Sequence, residues 1–182
     1  AHPLRGLRPR GIRPGGALDS TAMSHPSLGL PPLDMTAGDP VAAAALRSSR
    51  STLANRAVEA AVRADPTLAT RYDEPALRRL LVDTGTIIDT VSRSVASGDA
   101  GITRRWAEMA VPVFRRHGVS MDDLATLAEA IREVLLATLP AEAGAHANAA
   151  LDGAVGVYRW HRRLGGDTRP RNRILKAIYK GA

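Results

Sequence analysis

Two adjacent carboxylates, Asp122 and Asp123, come nearest to chemistry in this chain, because neighbouring acids can share a metal ion or divide into an acid and a base. They lie in "RRHGVSMDDLATLAEAI", Arg115 to Ile131. The same stretch has a helix-start pattern. Ser120 stands at the N-cap, and Asp123, three residues on, is a short-armed counterpart of the capping-box glutamate. Both acids also complement the positive end of a helix. Capping and dipole account for both carboxylates, so they are read as architecture.

The remaining candidates are histidines and arginines. There is no cysteine, which excludes disulfides, thiolate metal sites and a cysteine nucleophile. GxxxxGK[ST], GxGxxG and HExxH are absent, and no serine has a recognisable His and acid arrangement behind it. The histidines are His2, His25, His117, His146 and His161. His117 and His146 fall on predicted helices, where a histidine could ligate haem iron. Neither has the wall of Phe and Leu that a porphyrin needs, and the chain has one Phe. The expectation is a non-enzyme with no catalytic residue, cofactor or metal.

Positive charge is the other chemical signal. The chain carries +7, distributed as +3 over residues 1–22, −3 over 23–158 and +7 over 159–182. Arg159, Arg162, Arg163, Arg169, Arg171, Arg173, Lys176 and Lys180 form a candidate polyanion-binding set for nucleic acid or an anionic surface. Within "YRWHRR", Tyr158 to Arg163, aromatic and basic groups alternate as they do where bases stack and phosphates pair, although Arg and His also suit a helix C-terminus. Arginine outnumbers lysine 23 to 2, which a GC-rich coding sequence would produce unaided.

The elements that position these residues read as helices throughout. Aromatics are only 3% of the chain, so its core is Leu, Val, Ile and Ala and favours helix-on-helix packing. Residues 1–38 are rich in Pro, Gly and Arg and read as a disordered arm. Met23 within it is a candidate start, with residues 1–22 an upstream extension. A helical domain is expected over 39–164. Its first helix starts with Asp39 as cap and Pro40 at the first position, carries Val41, Leu46, Leu53, Val58 and Val62, and fades by Asp65-Pro66. Asp73 caps a second helix with Leu77, Leu80, Leu81, Thr84, Ile87, Ile88, Val91 and Val95 at helical spacing, ending at Gly98.

A third helix carries Ile102, Trp106, Met109, Ala110 and Val113 on one side, and Pro112 predicts a kink or break near Ala110. Gly118 suits its left-handed cap. A fourth helix follows Ser120 with Leu124, Leu127, Ala128, Ile131, Leu135 and Leu139, and Val119 with Leu124 form a hydrophobic staple. A fifth runs from Ala141 to about Leu164, with Ala145, Ala149, Gly153 and Gly156 as a smooth face for a close partner helix. Residues 165–182 hold a short basic helix with Ile174, Leu175, Ile178 and Tyr179 on its apolar side. No apolar run reaches the length of a membrane span.

The run "ITRRWAEMAVPVFRRHGVSMDDLATLAEAIREVLLATL", preceded by "YDEPALRRLL", resembles the N-terminal sensor domains of the bacterial stressosome co-antagonist proteins over about residues 50–164. That resemblance implies a non-haem, globin-like helical bundle that forms a homodimer and passes stress signals by protein–protein contact in the cytoplasm, without catalysis. The surplus apolar positions of the first two helices and the smooth face of the fifth are the expected dimer surfaces.

Overall fold

The computed structural model describes residues 38–165, and these form an all-α bundle with no strand among the described residues. The expected arm, apart from Gly38, and the expected short basic helix of the C-terminal segment lie outside the described residues. Seven helices are described: α1 (Pro40–Ser48), α2 (Arg50–Ala64), α3 (Leu68–Arg71), α4 (Glu74–Ser97), α5 (Gly101–Arg116), α6 (Met121–Leu136) and α7 (Ala141–Gly165). The count exceeds the five expected for two reasons. The first expected helix is divided at Ser49, and the short α3 precedes "DEP". At the division, the Ser48 hydroxyl donates to the Ala45 carbonyl, the local competition by which serine loosens a helix.

The expected caps form. Asp39 accepts from the Ala42 amide at 2.8 Å and Asp73 from the Ala76 amide at 2.9 Å, each with proline at the start of the helix. Gly98 closes α4 in the left-handed region at φ 71°. Gly118, at φ 72°, follows His117, the C-cap of α5. There the Val119 amide donates to the Phe114 carbonyl and the Gly118 amide to Arg115, the paired bonds of a Schellman turn. Ser120 then accepts from the Asp123 amide at 3.0 Å, a cap worth about 1 kcal/mol, and Val119 and Leu124 are both buried. Pro112 does not break α5, which is helical from Gly101 to Arg116. Pro112 and Glu108 are both exposed, so the Glu108 carbonyl that loses its donor faces solvent.

α4 packs against α1, α2, α5 and α7, while α6 is held between α2 and α7. Leu46, Ile87, Ile88, Val91, Leu124, Leu127, Ile131, Leu151 and Tyr158 are fully enclosed where they meet. Three sequence-based faces are corrected. Val41 is 81% exposed and does not join the stripe of α1. The inner face of α5 is Thr103, Ala107, Val111 and Phe114; of the predicted stripe, Trp106 and Ala110 pack partly buried against the core, Ile102 is half-buried, and Met109 and Val113 turn outward. The close-packed face of α7 is Ala143, Ala147, Ala150 and Ala154, whereas Ala145, Ala149 and Gly156 are exposed. Gly153 alone of that expected face makes a close approach: a Cβ there would stand 3.1 Å from the Arg104 Cβ of α5.

Candidate functional site

Asp123 does more than complement a helix end. Its side chain is 1% exposed and is engaged by two residues at the end of α3. The Arg71 Nη2 donates to Asp123 Oδ1 at 2.5 Å, and the Tyr72 hydroxyl donates to Oδ2 at 2.5 Å. The Ser120 amide in turn donates to the Tyr72 oxygen at 3.3 Å. Arg71 also donates to Asp65 at 2.9 Å and to the Thr67 hydroxyl, and Thr67 donates from both amide and hydroxyl to Asp65. Hydrogen bonds from Arg71 and then Thr67 hold the Asp65 carboxyl down to about 2. Burial, followed by the bond to Asp123, pushes the Tyr72 phenol up to about 12.

This network is a latch between α3 and the start of α6. A phenol raised in this way keeps its proton and is no general base at neutral pH. The sequence reading missed Arg71 and Tyr72 because their partner lies 52 and 51 residues away. The one available signal was that a carboxylate buried at a helix start needs a cation.

Asp122 points elsewhere, to Arg162 of α7 at 2.9 Å. Arg159 faces Glu129 at 3.6 Å, and Glu129 also meets Arg132 at 2.9 Å. Of the candidate polyanion set, Arg159 and Arg162 are therefore opposed by carboxylates of α6. Arg163 is exposed and makes no ion pair among the described residues. These three arginines border an open hollow of about 470 Å³ that also contains Asp122 and Glu129, so its charge is mixed. Arg169, Arg171, Arg173, Lys176 and Lys180 lie outside the described residues.

The three described histidines do not converge. His117 is the exposed C-cap of α5, His146 is partly buried on α7, and His161 meets Trp160 edge to face at 4.7 Å. No cluster of three or more His, Asp or Glu capable of holding a metal occurs among the described residues.

The outward stripe of α5 is the most distinctive surface. Met109 is 71% and Val113 39% exposed, while Trp106 is half-buried with its ring edge to face on Phe114 at 6.1 Å. On the α4 side lies a hollow of about 470 Å³ bordered by Thr90, Arg93, Ile102, Trp106 and Met109. On the α7 side lies another of about 520 Å³ bordered by Glu108, Gly153, Gly156, Val157 and Trp160, which is 50% exposed. The helices beneath are firmly joined. Ser94 and Thr103 share a buried hydrogen bond at 2.9 Å, and Arg115 donates to the His161 carbonyl at 2.7 Å.

Two titratable groups inside the bundle give a pH prediction. Burial raises the pKa of Asp83 on α4, against the opposing pull of His117 and Arg79. Burial, and then the charge of Asp83, push up the phenol of Tyr158, whose enclosed hydroxyl has no hydrogen-bond partner among the described residues. A raised carboxyl pKa means that ionised Asp83 costs stability. The cost is absent below the ordinary carboxylate value and grows as pH rises through the folded-state value. Asp83→Asn is therefore expected to stabilise the chain at neutral pH and to lose that advantage below about pH 4. Urea midpoints for both proteins across this range check the sign.

No protein-family model matches the chain, and no curated protein matches it.

Proposed function

We propose that the chain is a non-catalytic regulatory or sensory module that works by protein–protein contact and forms a homodimer. The observation that carries this reading is the second apolar side of α5. A helix apolar on both sides is normally covered on both sides. Here Met109 and Val113 of α5, and Trp160 of α7, remain exposed. Exposed apolar side chains on a helix whose inner side is already covered support contact with another macromolecule. The resemblance to stressosome sensor domains supports the same reading and adds a globin-like topology, a signalling role and a cytoplasmic setting. No helix among the described residues is long and apolar enough to cross a membrane. Sedimentation velocity over a wide concentration range tests the proposal. A reversible monomer–dimer boundary is expected, and a single monomer boundary up to high micromolar concentration contradicts it.

A second reading, polyanion contact through residues 159–182, is supported by the +7 carried there and by Arg163, which makes no ion pair among the described residues. The opposition of Arg159 and Arg162 by Glu129 and Asp122 makes it subsidiary. Binding to duplex DNA is expected to be weak and indifferent to sequence, with each neutralised phosphate adding about 0.9 to the salt slope. Truncation after Gly166 should abolish it. Binding that persists at high salt and depends on that segment would make polyanion contact the main function.

A further inference from the structure

We infer that the hollow between α6 and the end of α7 takes the phosphodiester backbone of a nucleic acid, and that Asp122 and Glu129 hold this site partly closed by occupying two of its three arginines. The inference rests on the second reading above and adds the place of contact and its control. Arg159, Arg162 and Arg163 lie on the last turns of α7 and border the hollow together. Arginine suits phosphate because its planar guanidinium donates to two oxygens at once. The rest of the lining is Asp122, Ala125, Thr126 and Glu129. None of these offers a lipid surface an apolar group larger than a methyl, whereas Thr126 adds a hydroxyl that can donate to a phosphate oxygen. A phosphodiester chain is the better fit.

The two carboxylates stand where phosphates would. Asp122 meets the Arg162 Nε at 2.9 Å, and Glu129 meets Arg159 at 3.6 Å. Both pairs are open to solvent, and exposed pairs of this kind are weak. Glu129 is also shared with Arg132, at 2.9 Å, which leaves Arg159 the more loosely held of the two. Arg132 itself meets Asp152 at 2.7 Å and does not border the hollow. Arg163 makes no ion pair among the described residues, so a phosphate can engage it without displacing anything there. A polyanion that then exchanges phosphates for carboxylates at Arg162 and Arg159 recovers little more than it breaks. Binding is therefore weak while both carboxylates are present and tightens when they are neutralised.

The test is a titration of a fluorescently labelled DNA duplex with the full chain at low and at physiological salt. Asp122→Asn is expected to tighten low-salt binding ~5-fold, and Asp122→Asn with Glu129→Gln at least ~10-fold, the effect of no longer breaking exposed ion pairs. The salt slope should steepen by about 0.9 for each arginine released to a phosphate. Asp89→Asn releases Arg50 from a 2.7 Å pair between α2 and α4, away from the hollow, and should change binding less than ~2-fold. Thr126→Asp adds a carboxylate to the hollow without removing a hydrogen bond seen among the described residues, and should weaken binding. Wild-type binding that gains no more from Asp122→Asn and Glu129→Gln than from Asp89→Asn overturns the inference and leaves the polyanion reading intact. A gain for phosphatidylserine vesicles with none for DNA also overturns it, by assigning the hollow to lipid headgroups. No binding to either by any of these proteins at low salt overturns both.

Discussion

Arg71→Met is expected to be the most damaging single exchange of a charged residue. Asp123 is 1% exposed, and removing Arg71 takes a bonded guanidinium away from a buried carboxylate. Stripping the partner from a buried charge typically costs 3–5 kcal/mol. We expect about 3 kcal/mol. Tyr72 keeps its bond to Asp123, and Arg71 is itself partly exposed, so some water can enter. The loss comes from the buried carboxylate's weakened compensation and not from the missing contact alone, which gives a sharper form of the prediction. Asp123→Asn in the Arg71→Met background should recover more than half of it, because the amide oxygen can still accept from Tyr72. Urea unfolding followed by far-UV circular dichroism measures both. A loss below about 1 kcal/mol would place Arg71 among ordinary surface ion pairs.

Ala147→Leu is the second large effect. Ala143, Ala147, Ala150 and Ala154 are fully buried where α7 meets its neighbours, and the approach of the helices depends on their size. Three added carbons have no space without moving a helix, and overpacking of this kind costs about 1–3 kcal/mol or more. Ala145→Leu, two residues earlier on the opposite side of the same helix, should stay within about 0.5 kcal/mol of wild type because its side chain enters solvent. Thermal unfolding of the pair separates the two faces of α7. Equal losses would contradict the packing described.

That contrast also shows what could be read in advance. Helix ends were legible because capping is local chemistry. Asp39, Asp73, Gly98, Gly118 and Ser120 each announce themselves within four residues, and each cap is present. Leucine and isoleucine placed the inner sides of α4 and α6 for the same reason. The face of α7 was not legible, since alanine at 143, 145, 147, 149 and 150 gives no contrast between inside and outside. In α5 the predicted stripe was only partly right. The interior took Ala107, Val111 and Phe114, with Trp106 and Ala110 packed partly against it, and Met109 and Val113 were left outside. The candidate surface thus lay within a pattern that had been read as core. The latch of Arg71 and Tyr72 on Asp123 joins residues about fifty positions apart and has no local signature. At the C-terminus, charge density was visible but pairing was not, and two of the three described arginines meet carboxylates of α6.

The two tryptophans test the central claim directly. Trp106 and Trp160 are the only ones in the chain, and they border the two hollows that flank α5. If this face associates with a second copy, the half-exposed Trp160 becomes shielded as concentration rises. Acrylamide quenching of the Trp106→Phe variant, which isolates Trp160, should therefore fall across a dilution series from nanomolar to high micromolar protein. Its emission should move to shorter wavelength over the same range, and both changes should disappear in the Met109→Glu background. Quenching and emission that do not change with concentration would show that this face remains open to water, and would contradict the account.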